Sequence, residues 1–139
     1  MTKSLLQHWF EEVWNKGQAH AIDALMAPDA IAHGIYDANG AEIRGPTAFK
    51  GYFHQFRESF PDIQVTIHDT ITDGDREVVR CTVNGTHQGA SLGVAASGKR
   101  VTFTGICIIR HNDGKIVEAW NNFDFLGMYQ QLGLQVPTA

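Results

Sequence analysis

Cysteine is scarce: Cys81 and Cys107 are the only two in 139 residues. Two thiols cannot staple a disulfide scaffold and fit a reducing compartment, so the expected location is the cytoplasm. Positive charge is short as well. Eleven Lys and Arg stand against fifteen Asp and Glu, a formal charge of −4. That balance excludes the basic face with which a sequence-independent nucleic-acid binder neutralises phosphates. No stretch approaches the roughly 18 apolar residues of a membrane span. Glu11 and Glu12 interrupt the first apolar stretch, which therefore does not read as a signal peptide. Several catalytic signatures are missing too. There is no Walker loop or dinucleotide glycine fingerprint, no Gly-x-Ser-x-Gly elbow and no His-Glu-x-x-His zinc spacing. Asp73-Gly74-Asp75 is too short for a calcium loop. The expectation is a chain without metal or cofactor, whose chemistry, if any, rests on side-chain acids and bases.

What is present is globular. Apolar residues make up 43% and charged residues 19%, and the length suits a single domain over residues 1–139 with one core. Leu5, Leu6, Trp9, Phe10, Val13 and Trp14 recur at helical spacing. Ser4 with Gln7 makes a capping box before them, and Gly17 makes a stop after them. A short second helix carries Ile22, Leu25 and Met26, ended by Pro28-Asp29, and a short strand, Ala30–His33, follows. Phe49, Phe53, Phe56 and Phe60 step by four, three and four, so a third helix opens at Pro46, buries an aromatic edge and closes at Pro61.

From Asp62 the period changes to two. Strands are predicted at Ile63–Ile71, Glu77–His87, Val101–Arg110 and Lys115–Phe123, with turns at Asp73-Gly74-Asp75 and Asn112-Asp113-Gly114. A terminal helix is predicted at Leu126–Leu132. Helices first and consecutive antiparallel strands afterwards mean α+β, with the helices on one face of a curved antiparallel sheet. Such a cone offers a concavity suited to a small molecule.

The segment from Gly114 to Asp124 is the most informative. On a strand, Glu118, Trp120, Asn122 and Asp124 share one face, and Val117, Ala119 and Phe123 share the other. Carboxylates favour solvent, which turns the Val117 face inward. A tryptophan on a solvent face argues for the opposite arrangement, with Asp124 and Trp120 lining a pocket. Periodicity leaves both arrangements open.

Gly85-Thr86-His87-Gln88-Gly89, Ser97-Gly98-Lys99, Arg110 ahead of Asp113-Gly114-Lys115-Ile116, Trp120 with Asp124 four residues on, and Gln131-Leu132-Gly133 occur in that order. With these the chain, over roughly Leu5 to Gly133, resembles the SnoaL-like polyketide cyclase or ester cyclase-like family, within the nuclear-transport-factor-2-like superfamily. The resemblance implies a conical, barrel-like α+β fold, usually a homodimer, around a hydrophobic and often polycyclic ligand. It implies that Asp124 faces inward as the acid/base of an intramolecular aldol ring closure. The carboxylate would take a proton from a carbon flanked by carbonyls and later protonate the alkoxide. This chain departs from the family pattern at Ala96-Ser97-Gly98, on the expected pocket rim. A cyclase histidine is expected near the end of the third long strand, where Arg110 and His111 have opposite parity and either could point inward.

Around Asp124, the expected pocket residues are His33, His87, Trp120 and Asn122. For His87, capping of the Gly85–Gly89 turn competes with ligand binding; for His33, a structural hydrogen bond does. Arg80 and Arg110 fall on the other sheet face, the two cysteines read as buried packing, and His8, His20, His54 and His68 read as surface. Val78, Ile106 and Ile108 would make an exposed apolar patch unless covered, and a homodimer through the sheet covers it economically. Two other functions stay in view: an isomerase or hydratase in the same cavity, and a non-catalytic module that binds a hydrophobic small molecule.

Overall fold

The computed structural model describes residues 3–135. Helix α1 (Leu5–Trp9) runs into a π-helical stretch, Phe10–Asn15, and α2 (His20–Leu25) leads into strand β1 (Met26–Tyr36). Strand β2 (Glu42–Arg44) precedes α3 (Gly45–Ser59). Then come β3 (Gln64–Asp73), β4 (Arg76–Thr86), β5 (Arg100–Asn112), β6 (Lys115–Phe123) and α4 (Phe125–Gln131). No described helix is long and apolar enough to cross a membrane.

The six strands form one curved, open sheet in the order β2-β1-β6-β5-β4-β3. The helices pack on one face of it, so the α+β expectation holds. The sheet is mixed rather than antiparallel, because β1 pairs parallel to β6. The expected four-residue strand Ala30–His33 is the middle of an eleven-residue one. Small residues hide its alternation, and Pro28 lies within the strand instead of merely ending the helix before it. Met26 likewise belongs to β1, not to the second helix. The β5–β6 connection fits its sequence: Asp113 and Gly114 both have positive φ, 52° and 74°, as a two-residue type I′ turn requires.

Alternation sorts the long strands cleanly. On β4, Glu77, Val79, Cys81 and Val83 are buried under the helices, and on β5 so are Val101, Phe103, Cys107 and Ile109. The aromatic edge of α3 meets the first helical segment. Trp9 stands edge-on to Phe49 with centroids 4.9 Å apart, and Trp14 lies 5.4 Å from Phe53. Each such ring, fully buried, contributes about 1.5–3 kcal/mol by area alone, so this seam holds the helices to the sheet. On the opposite face Ile71 is 63% exposed and Ile106 is 46% exposed.

Candidate functional site

Between the helices and the sheet lies a cavity of about 70 Å³. Leu6, Trp9, Phe10 and Trp14 roof it from the first helical segment, and Phe49, Tyr52 and Phe56 wall it from α3. Phe103, Cys107, Ala119, Asn121 and Phe123 floor it from β5 and β6. The space exceeds what one water needs, and its lining is apolar apart from the Tyr52 phenol and the Asn121 amide.

The roof is pinned at both ends. Ser4 and Gln7 form the expected capping box. The remaining first-turn donors go to a residue far along the chain: Glu77, 5% exposed, accepts the Leu6 N–H at 2.8 Å and the Leu5 N–H at 3.3 Å. A carboxylate there also complements the positive end of the helix. His111 Nε2 lies 3.5 Å from the same carboxylate. At the other end, the Asn15 side chain accepts from Val65 N–H at 2.6 Å and donates to Val65 carbonyl at 3.0 Å, extending the β3 edge like one more strand residue. Arg57 donates to the Trp14 carbonyl at 3.0 Å. The π-helical geometry between these pins turns Phe10, Val13 and Trp14 inward, and such irregular turns recur at functional sites.

The residues singled out from sequence do not converge on this cavity. Trp120 and Asn122 lie on the outer face of the sheet, contrary to the pocket expectation. The inner set of β6 is Ala119, Asn121 and Phe123, because a bulge opposite Arg110 and His111 sets the register of the strand. His33 lies on the outer face as well. Its ring stacks on Trp120 at 5.7 Å, with Nε2 at 2.8 Å from Glu118 and Nδ1 at 3.0 Å from Glu42. The Glu118 hydrogen bond, opposed by partial desolvation and helped by Glu42, raises the His33 pKa above its ordinary 6.5. Glu118 is lowered in turn, by His33 first and then by Arg110, 3.3 Å away.

Asp124 is exposed and serves as N-cap of α4: its Oδ1 accepts the Gly127 N–H at 2.9 Å. It lines an open outer groove of about 540 Å³ with Arg80, Thr104, Ile106 and Asn122, and that groove shares Phe123 and Phe125 with the wall of the apolar cavity. His87 is fully buried, away from the cavity wall, where its Nδ1 meets the Ser97 hydroxyl at 3.0 Å and N–H at 3.3 Å. Together with the Gly98 N–H to His87 carbonyl bond at 2.7 Å, this ties off the loop after β4. Its Nε2 has no partner among the described residues and sits beside the Phe60 ring. The parity question at the end of β5 also resolves: Arg110 joins Glu118 outside, and His111 turns to Glu77 at the start of α1.

Sequence reading missed Asn121 and Tyr52, the amide and the phenol of the cavity wall. The alternation of Ala119 and Phe123 carried the signal for Asn121. Burial raises the Tyr52 pKa well above its ordinary 10, and it pushes up Cys107, on the floor, in the same way. No cluster of metal-ligating side chains occurs among the described residues.

The family model for the SnoaL-like polyketide cyclases matches residues 4–132. The aklanonic acid methyl ester cyclase DauD of Streptomyces sp. (strain C5) is 29% identical over 129 residues, 91% of this chain and 79% of DauD. The crystal structure of IdmH from Streptomyces antibioticus superposes with a TM-score of 0.79 at 31% identity, covering 94% of this chain and 96% of IdmH. A Catenulispora acidiphila protein of ketosteroid isomerase-like fold, 18% identical, superposes at 0.77 over 99% of this chain and 100% of its own, a likeness of fold alone. With its family motifs, its helix-roofed curved sheet and these relatives, the chain belongs to the SnoaL-like polyketide cyclase family.

Proposed function

We propose that this chain is a binding module that binds a neutral, hydrophobic, polyketide-like small molecule against the cavity between helices and sheet, without acid/base catalysis. The observation that carries this reading is the chemistry of the wall. A base must come within hydrogen-bond reach of the proton it removes, yet among the described residues no carboxylate or imidazole lines the cavity. Tyr52 and Cys107 are held neutral by burial. Asp124 spends an oxygen on capping α4 outside the cavity, which weighs against the aldol role that the family resemblance implies. Isomerisation and hydration need the same proton transfer and meet the same obstacle. A shared fold leaves room for this, since function follows from the site.

Aklanonic acid methyl ester, the compound in DauD's name, is the probe. Wild type and Asp124→Asn should bind it equally, within about twofold, and return it unchanged. Ring closure that slows in Asp124→Asn while binding persists would overturn this reading and restore the acid/base one. The same reading includes a homodimer through the outer sheet face, where Ile71 and Ile106 are exposed beside Val78 and Ile108. A monomer by sedimentation at micromolar concentration removes that part.

A further inference from the structure

The cavity holds about 70 Å³, well under the roughly 300 Å³ at which pockets for drug-sized ligands begin. A fused-ring body needs more room than that, and the walls differ in what they can give. Most lining side chains are buried; the half-buried ones are Ile31, Tyr52, Asn121, Phe123 and Phe125. They place the open side of the cavity beside the start of α4. The outer groove of about 540 Å³ adjoins it there, with Phe123 and Phe125 lining both spaces.

These two rings are held differently. Phe123 lies against Gly105, its partner across the ladder, so closely that a Cβ at Gly105 would strike the ring. The missing side chain is the seat of that ring. Phe125 instead leans on other rings, Phe56 at 5.9 Å, Phe103 at 6.0 Å and Phe123 at 6.0 Å. It is the first residue of α4, so no preceding helical turn removes one of its three χ1 rotamers, as happens in a helix interior. The backbone around it is pinned. Asp124 N–H donates to the Thr104 carbonyl at 2.9 Å, the Gln131 amide bonds the Thr102 N–H at 2.9 Å and its carbonyl at 2.8 Å, and Met128 is fully buried. The Phe125 side chain is therefore free to turn while its helix stays in place.

We infer that Phe125 is a swinging partition that sets how long a ligand the cavity admits. For a planar ligand of three or more fused rings, the Phe125 ring turns into the outer groove and yields its place to the far ring of the ligand. This rests on the proposal that the cavity binds a hydrophobic ligand. It narrows the class to fused aromatic systems whose inner end lies under Trp9 and Trp14 and whose outer end packs on Phe103 and Phe123. Seating the far ring forfeits the contacts of Phe125 with Phe56 and Phe103. A shorter ligand leaves those contacts intact.

1-Naphthol and 1-hydroxyanthraquinone are neutral phenols of two and three fused rings. Stopped-flow quenching of tryptophan fluorescence reads their binding, since Trp9 and Trp14 line the cavity. Phe125→Ala should bind 1-hydroxyanthraquinone about tenfold tighter than wild type, through faster association, and change 1-naphthol by less than about twofold. Phe125→Trp, with a larger ring to displace, should slow association of the three-ring probe. Should the alanine variant fail to fold, ring-proton NMR of wild type gives a second reading. With 1-hydroxyanthraquinone, Phe125 should lose its cross-peaks to Phe56 and Phe103 and gain cross-peaks to Thr104 in the groove; with 1-naphthol it should keep the first set. Weaker binding of the three-ring probe by Phe125→Ala, an equal change for both probes, or the first set of cross-peaks persisting with the three-ring probe overturns the inference and leaves the binding proposal standing. Failure of both probes to bind wild type overturns both.

Discussion

Strand β6 carries two kinds of polar residue within three positions, and its two faces treat them differently. On the outer face, Glu118 and Trp120 join a network in which every charge has a neighbour. His33 bridges Glu118 and Glu42, Arg110 pairs with Glu118, and Arg76 lies 5.1 Å from the centre of the Trp120 ring. On the inner face, Asn121 keeps an acceptor in reserve among aromatic and aliphatic side chains. A half-exposed network gains little energy and is screened by water; its organisation is structural. A half-buried amide on an apolar wall is free to meet a polar group that enters. The quieter face is therefore the functional candidate, although the outer face holds the residues that look catalytic in sequence.

The comparison breaks most easily at the roof. Glu77→Ala strands the Leu5 and Leu6 N–H groups at the start of α1, and the loss of charge-assisted bonds at a buried site should cost about 2–3 kcal/mol in chemical denaturation. A loss below about 0.5 kcal/mol would mean that the aromatic seam alone holds the roof. Next in size is Asp124→Ala, which removes the cap of α4 and should cost about 1 kcal/mol. Its effect on ligand affinity should be small, and a large one would bring Asp124 back to the cavity.

The smallest effect sharpens the outer face. His33 gains affinity for its proton on folding, so its contribution to stability is complete below its ordinary 6.5 and is lost as pH rises through the elevated value. Glu118 runs the other way, contributing above its ordinary 4.5 and losing that as pH falls through the lowered value. The pair should stabilise most between those two values. Proton NMR should show His33 titrating above 6.5 in wild type and lower in Glu118→Gln. A wild-type midpoint at or below 6.5 would dissolve the network.

Much of the architecture was legible from the chain. The phenylalanine ladder of α3, the capping box of Ser4 and Gln7, and the turn at Asp113-Gly114 are local signals, decided by neighbours within a few residues. β1 was legible only in part, because Ala30 and Ala32 give alternation no amplitude and its parallel partner, β6, lies far along the chain. The site was read least well. Trp120 drew attention as an aromatic that belongs inside, yet stacking on His33 and coverage by Arg76 supply its burial from residues remote in sequence.

By itself the sequence determined the class of fold, the single apolar core, the turns between the long strands, and the family. These follow from periodicity and from backbone preferences that act over a few residues. Only the tertiary structure decided which face of β6 meets the helices, because period-two alternation specifies two faces without saying which one is inside, and a single bulge can exchange them. That decision moved Asn121 into the cavity and left Trp120, Asn122 and Asp124 outside it.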